Sequence, residues 1–220
     1  MTFKKIITWI LGATTIIATI LTAYYAFQIF SDEKKIKASL EEWESLKETA
    51  RVEAPPHFFR NEEEEKKTEI NEKSINETAT SSLYPTRPKL DEVIGKIIIP
   101  SIDLSAPIVE GTGDEQLAKG VGHYSGSVLP GEHDNTVLSG HNNTVFSRLG
   151  SVEKGDKITI ETSAGTFNYR ITEQKIVDED DRTIIVPYDH AILTIITCYP
   201  LDFIGPTPDR YILIGELIEG

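Results

Sequence analysis

From Ile6 to Ser31 the chain carries no charged residue. The run is rich in Ile, Leu, Ala and Thr, with Trp9 near one end and Tyr24, Tyr25 and Phe27 near the other. About 20 apolar residues span a bilayer as a helix, and aromatic side chains favour the two interfaces. A cleaved signal peptide has a shorter apolar region and a small-residue cleavage site, and no such site is visible here. Residues 1–31 therefore read as an uncleaved N-terminal membrane anchor. Lys4 and Lys5 on one side are answered by Lys34, Lys35 and Lys37 on the other, so the positive-inside rule does not orient it.

Residues 32–83 read as a juxtamembrane helix followed by a disordered tether. Ile36, Leu40, Trp43, Leu46 and Ala50 recur at spacings of three and four, a narrow apolar stripe on a charged helix. Such a stripe extends the membrane helix, pairs with a second copy, lies on the membrane surface, or belongs to a plain spacer; the spacer is the reading preferred here. Pro55-Pro56 stops the helix. Glu62–Glu65 and the Lys, Asn, Ser and Thr that follow up to Ser82 offer almost nothing to bury, hence the tether.

From about Leu83 the texture changes, and residues 84–220 read as one globular domain. Eight strand-like runs are expected: Ile94–Ile99, Ala106–Val109, Thr136–Ser139, Lys157–Glu161, Thr166–Val177, Thr183–Val186, Ala191–Thr197 and Tyr211–Ile218. Two short helices are expected at Asp114–Ala118 and Asn143–Leu149. Many short strands and few helices make a mainly β chain that closes into a barrel. The chain is acidic: its 220 residues carry a net charge of −13, and residues 91–220 hold 9 Lys+Arg against 21 Asp+Glu, which excludes a nucleic-acid partner.

The single cysteine, Cys198, ends the apolar run Leu193-Thr194-Ile195-Ile196-Thr197 and precedes Tyr199-Pro200. His141 follows Val137-Leu138-Ser139-Gly140, and Arg210 opens Tyr211-Ile212-Leu213-Ile214. A thiol, an imidazole and a guanidinium at three strand–loop junctions are the parts for thiolate attack on a carbonyl: nucleophile, acid/base and oxyanion partner. Taken singly, each has another reading: a small buried hydrophobe, a loop histidine, a surface ion-pair partner. His57, His123, His133 and His190 read as structural or exposed. Asp178-Glu179-Asp180-Asp181 lacks the glycine and spacing of a calcium loop and reads as a solvated acidic loop, so no metal is expected.

Leu193 to Arg210 resembles the active-site region of sortases, the membrane-anchored transpeptidases of Gram-positive bacteria. Thr194-Ile195-Ile196-Thr197-Cys198 matches their Thr-Leu-x-Thr-Cys motif, with Ile195 in place of the leucine. Ser139-Gly140-His141 and Pro208-Asp209-Arg210-Tyr211 match the histidine and arginine segments. Gly95–Pro100 matches the first strand, and Gly122-His123-Tyr124 a helix-to-strand loop. Tyr199-Pro200, the short Leu201–Asp209 loop and the lone N-terminal anchor are most similar to class D; classes A and E are the alternatives within the family.

The resemblance implies an eight-stranded sortase-type β-barrel with His141, Cys198 and Arg210 as catalytic residues. Thr197 is a further candidate, for a hydrogen bond to substrate backbone, with a buried strand threonine as its alternative. It implies cleavage after the Thr of a Leu-Pro-x-Thr-type sorting signal, transfer to a peptidoglycan amine without metal or organic cofactor, and a C-terminal domain outside the cell. Two other classes of function use the same sequence: a cysteine endopeptidase that hydrolyses rather than transfers, and a non-catalytic anchored binding domain.

Overall fold

The computed structural model describes residues 3–53 and 83–219. Helix α1, Phe3–Glu53, runs unbroken for 51 residues, about 77 Å at 1.5 Å per residue. Among the described residues it is the one helix long and apolar enough to cross a membrane. Trp9, Ile10, Ile17 and Phe27 stand open on its first half. The hydroxyls of Thr15, Thr19 and Thr22 donate to carbonyls three or four residues back, so these hydroxyls are satisfied within the helix. The helix stops ahead of Pro55-Pro56, where the chain before a proline is pushed out of the helical region. The expected tether lies almost wholly in 54–82, outside the described residues.

The charged half of α1 is docked rather than a bare spacer. Trp43 is 5% exposed and packs on Val93 and Val109 of the barrel wall. Glu44 Oε1 accepts from Lys96 Nζ at 2.6 Å, and Lys47 Nζ donates to Glu161 Oε2 at 2.7 Å. Partial burial pushes the Glu161 carboxyl up, but the Lys47 hydrogen bond and the Lys96 charge outweigh it, so it sits below its ordinary value.

Eight strands close into a barrel in the order β1-β2-β3-β4-β7-β8-β6-β5. They are β1 Val93–Ile99, β2 Leu104–Glu110, β3 Val121–His123, β4 Asp134–Gly140, β5 Lys157–Thr162, β6 Gly165–Asp178, β7 Ala191–Tyr199 and β8 Asp209–Glu219. The β2–β3 and β4–β7 pairs are parallel, and the others are antiparallel. Alternation sends Ile97, Ile108, Leu138, Ile160, Tyr169, Leu193 and Leu213 into one interior cluster. Burial pushes the Tyr169 phenol up to about 12, and its oxygen accepts from Gly131 N at 2.8 Å.

The number of strands matches the expectation, but one member differs. Thr183–Val186 forms no strand; its Ile184 instead plugs a second apolar cluster on the outer barrel face, with Ile192, Ile212 and Ile214. The eighth strand is β3, whose three residues Val-Gly-His are too few to show a period. Of the two expected helices, the first is present as α2, Asp114–Leu117. Asn143–Leu149 is a series of turns ending in a 3₁₀ turn at Leu149–Ser151, because Phe146 and Leu149 fold inward to cap the interior cluster.

Candidate active site

The parallel register of β4 and β7 pairs Ser139 with Ile196 and Gly140 with Thr197. One step further along both chains come His141 and Cys198. The antiparallel register of β7 and β8 sets Cys198 directly opposite Arg210. Three consecutive barrel strands therefore bring the imidazole, thiol and guanidinium residues to one level at one end. Cβ atoms of directly opposed residues lie about 4.5–5.5 Å apart.

All three stand on the outer face. In β7, Leu193 and Ile195 belong to the interior cluster and Ile192 and Ile196 to the outer one; in β8, Leu213 is interior and Ile212 and Ile214 outer. Two-residue alternation carries Cys198 and Arg210 to the side of Ile196 and Ile212. On β4, Leu138 lies inside, so His141 falls outside. Each of the three is half-buried, and among the described residues neither the His141 ring nor the Cys198 thiol has a hydrogen-bond partner. From the 179–190 loop, Ile184 and Tyr188 pack on the outer cluster toward the Asp134 end of β4, away from His141.

Local contacts hold the strand ends in line. Thr197 is buried, and its hydroxyl donates to Gly140 O at 2.7 Å, clamping the residue before His141 to the residue before Cys198. That hydroxyl is engaged inside the protein, the arrangement of a buried strand threonine. A Cβ on Gly140 would meet the Phe146 ring at 2.6 Å, so only glycine lets β4 reach His141 over that ring. Asn142, whose part the sequence did not reveal, donates its amide to Pro200 O at 2.6 Å and to Phe203 O at 3.3 Å, and its carbonyl accepts from Asp202 N at 2.8 Å. The histidine loop thus carries the loop that follows the cysteine. Arg210 Nη2 donates to Glu179 Oε2 at 2.9 Å.

The other singled-out residues lie elsewhere. His123 is buried, with Nδ1 at 2.6 Å from Glu110 Oε2 and Nε2 at 3.0 Å from Val128 O. It lines a cavity of about 640 Å³ with Arg87, Ser127 and Asp134, at the end of β4 away from His141. A second cavity, about 610 Å³, lies between Trp43 and the barrel. Neither is lined by Cys198, His141 or Arg210; the site is marked by strand register, not by enclosure. His190 faces Asp189, His133 is exposed, and His57 lies outside the described residues. In the acidic run, Asp178 accepts from Asp180 N and Asp181 from Thr183 N, so those carboxylates cap turns. Among the described residues no group of three His, Cys, Asp or Glu side chains is placed to hold a metal.

Residues 97–218 match the sortase domain. Sortase D of Bacillus subtilis (strain 168) is 44% identical over 133 residues, 60% of this chain and 67% of that protein. Sortase A from Corynebacterium diphtheriae, solved as a lid mutant, aligns at a TM-score of 0.56 and 30% identity over 63% of this chain and 76% of that one. Sortase C from Clostridium perfringens, solved with the C-terminal cell wall sorting motif, aligns at a TM-score of 0.55 and 31% identity over 60% of this chain and 74% of that one. A closed eight-stranded barrel agrees with these matches. The chain belongs to the sortase family of cysteine transpeptidases and is similar to class D.

Proposed function

We propose that the protein cleaves a Leu-Pro-x-Thr-type sorting signal after Thr and transfers the acyl group to a peptidoglycan amine. The observation that carries this is the registry of His141, Cys198 and Arg210 on β4, β7 and β8. The Cys198 thiolate attacks the Thr carbonyl; the C–S bond forms, and the carbonyl electron pair moves onto oxygen. Arg210 and the backbone N–H after Cys198 stabilise that oxyanion. As the intermediate collapses, the C–N bond breaks and His141 gives a proton to the departing amine. The thioester is then attacked by the acceptor amine, His141 takes that amine's proton, and Cys198 leaves as thiolate. No step requires a metal or organic cofactor. The apolar pair Ile196 and Ile212 next to Cys198 on the same face suits the Leu and Pro of the signal.

In this reading residues 1–31 anchor the protein with its N terminus inside, residues 32–83 link, and residues 84–220 work on the outer side of the membrane. The apolar first half of α1 supports the anchor. The test offers the full-length protein in detergent micelles a panel of Leu-Pro-x-Thr-Gly, -Ala and -Ser peptides with an amine acceptor. Amide product in excess of free acid is expected. Free acid alone, at saturating amine, makes the protein a hydrolase; no thioester at Cys198 with any peptide removes the catalytic reading.

A further inference from the structure

Arg210 enters the site with its guanidinium already anchored at three points. Nη1 donates to Thr207 O at 2.7 Å and to Asp209 O at 2.9 Å, both carbonyls of its own approach loop. Nη2 donates to Glu179 Oε2 at 2.9 Å, from a different part of the chain. A guanidinium carries five N–H donors in a planar fork. Among the described residues, Nε–H and one Nη2–H are left without a partner.

Glu179 is not a loosely placed loop residue. It directly follows β6, whose final pair with β8 is Asp178–Asp209, next to Val177–Arg210. Its own N–H donates to Pro208 O at 2.9 Å. The backbone beneath the carboxylate is therefore fixed to the same strand end that carries Arg210. β8 lies between β6 and β7, so Arg210 has the Glu179 strand on one side and Cys198 on the other.

We propose that Glu179 is the positioning residue for Arg210: it holds the guanidinium plane so that its two free donors keep one orientation through the reaction. The proposal rests on the reading of Arg210 as an oxyanion donor. Two carbonyls on Nη1 alone leave the plane free to swing about that nitrogen, and the carboxylate on Nη2 stops the swing. The pair is partly solvated, with side chains 27% and 50% exposed. Exposed ion pairs add little to fold stability. An effect of Glu179 should accordingly appear in turnover and not in melting. The negative charge itself opposes both the thiolate and the oxyanion, so the useful part of the contact is the anchored acceptor.

The experiment compares wild type, Glu179→Ala, Glu179→Gln, Arg210→Ala and the Glu179→Ala/Arg210→Ala pair as full-length protein in micelles. The substrate is the Leu-Pro-x-Thr peptide turned over fastest in the panel above. Glu179→Ala is expected to lower kcat about tenfold with KM nearly unchanged, less than the ~100-fold that an ångström of misplacement can cost. Glu179→Gln keeps an oxygen acceptor at the same reach and should retain most of kcat. In the Arg210→Ala background, Glu179→Ala should cost nothing more, since the two act as one unit. Melting temperatures should match wild type throughout. An unchanged or raised kcat in Glu179→Ala, a loss confined to KM, or full additivity with Arg210→Ala overturns the positioning role. If Arg210→Ala lowers kcat while Glu179→Ala does not, positioning alone fails; if Arg210→Ala leaves kcat intact, the oxyanion reading fails with it.

Discussion

The barrel contains two Gly-His pairs, each at the end of a strand in one of its two parallel pairings. Gly122-His123 ends β3, beside β2; Gly140-His141 continues β4, beside β7. The glycines are needed for the same reason. A Cβ at Gly122 would run into Gly111 O, much as one at Gly140 would run into Phe146. What differs is the neighbour that the parallel register supplies. β2 sets Glu110 beside His123, and both ring nitrogens find oxygens in the interior. β7 sets Cys198 beside His141, and the ring stays half-exposed. The same dipeptide is a structural fastener in one place and a candidate acid/base in the other. Register across the parallel pair decides which.

The widest separation between the two histidines should come from substitutions at the reactive end. Cys198→Ala removes the only thiol, so thioester formation and turnover should vanish, whereas peptide binding, read by fluorescence anisotropy, should persist. His141→Ala should lose most of kcat, as general acid–base catalysis contributes about 10²–10⁴-fold. Its melting temperature should stay near wild type, because surface changes of this kind stay within about 0.5 kcal/mol. A His141→Ala protein that melts early but turns over normally would invert the comparison. Arg210→Ala comes next. Losing one oxyanion donor typically costs about 10²–10³ in kcat. Arg210→Lys should recover little, because a point ammonium does not reproduce the guanidinium fork. An unchanged kcat in Arg210→Ala would rule out the oxyanion role.

Much of this contrast was legible in the sequence, and the rest depends on register. Cys198, His141 and Arg210 stand out because each is a lone reactive group at the edge of an apolar run, which marks a strand end. The runs also mark seven of the eight strands, since a run of four or more apolar or β-branched residues is visible locally. β3 was not visible: three residues make no period, and its pairing with β2 and β4 is a property of the closed barrel. Thr183–Val186 reads as a strand because Ile184 and its β-branched neighbours look like one, yet only Ile184 is buried and the segment pairs with nothing. Asn142, Glu179 and the clamp from Thr197 to Gly140 are contacts between segments distant in sequence. No spacing rule finds them. The docking of Trp43 was present only as one member of an apolar stripe, since the pad formed by Val93 and Val109 belongs to another element.

At the structural end, His123→Ala should reverse the pattern seen with His141. It takes from the buried Glu110 carboxylate its imidazole partner, leaving only Ser125, a loss of about 1–3 kcal/mol. Thermal melting should fall, while kcat per folded molecule stays close to wild type. The pair also has a pH signature. Burial raises the Glu110 carboxyl, but hydrogen bonds from His123 and Ser125 more than offset it, so its folded pKa lies below the ordinary 4.5. A depressed carboxylate contributes stability that is complete above its ordinary value and is lost as pH falls through the folded value. Glu110→Gln removes that titration. Between pH 5 and pH 3, in roughly the ordinary carboxylate range, the wild-type melting temperature should drop more steeply than that of Glu110→Gln. Parallel curves would show that the pair contributes no such linkage.

The smallest expected effect tests what keeps His141 and Cys198 in register. Thr197→Val is nearly isosteric and deletes the hydroxyl that donates to Gly140 O. One hydrogen bond contributes about 0.5–1.5 kcal/mol, and the carbonyl left behind is buried, so melting should fall modestly. The informative readout is kinetic. Neither reacting side chain is touched, and the substrate loses no contact, because the Thr197 side chain is buried. If the clamp only adds stability, kcat at a temperature well below melting will equal that of wild type. If it holds the two strand ends in line, kcat will fall several-fold with KM unchanged, since small misplacement of reacting groups weakens the transition state rather than binding. Thr197→Ser restores the hydroxyl without the methyl and should recover the rate. A rise in KM alone, rescued by Thr197→Ser, would instead return Thr197 to the substrate-binding role that its place next to the nucleophile first suggested.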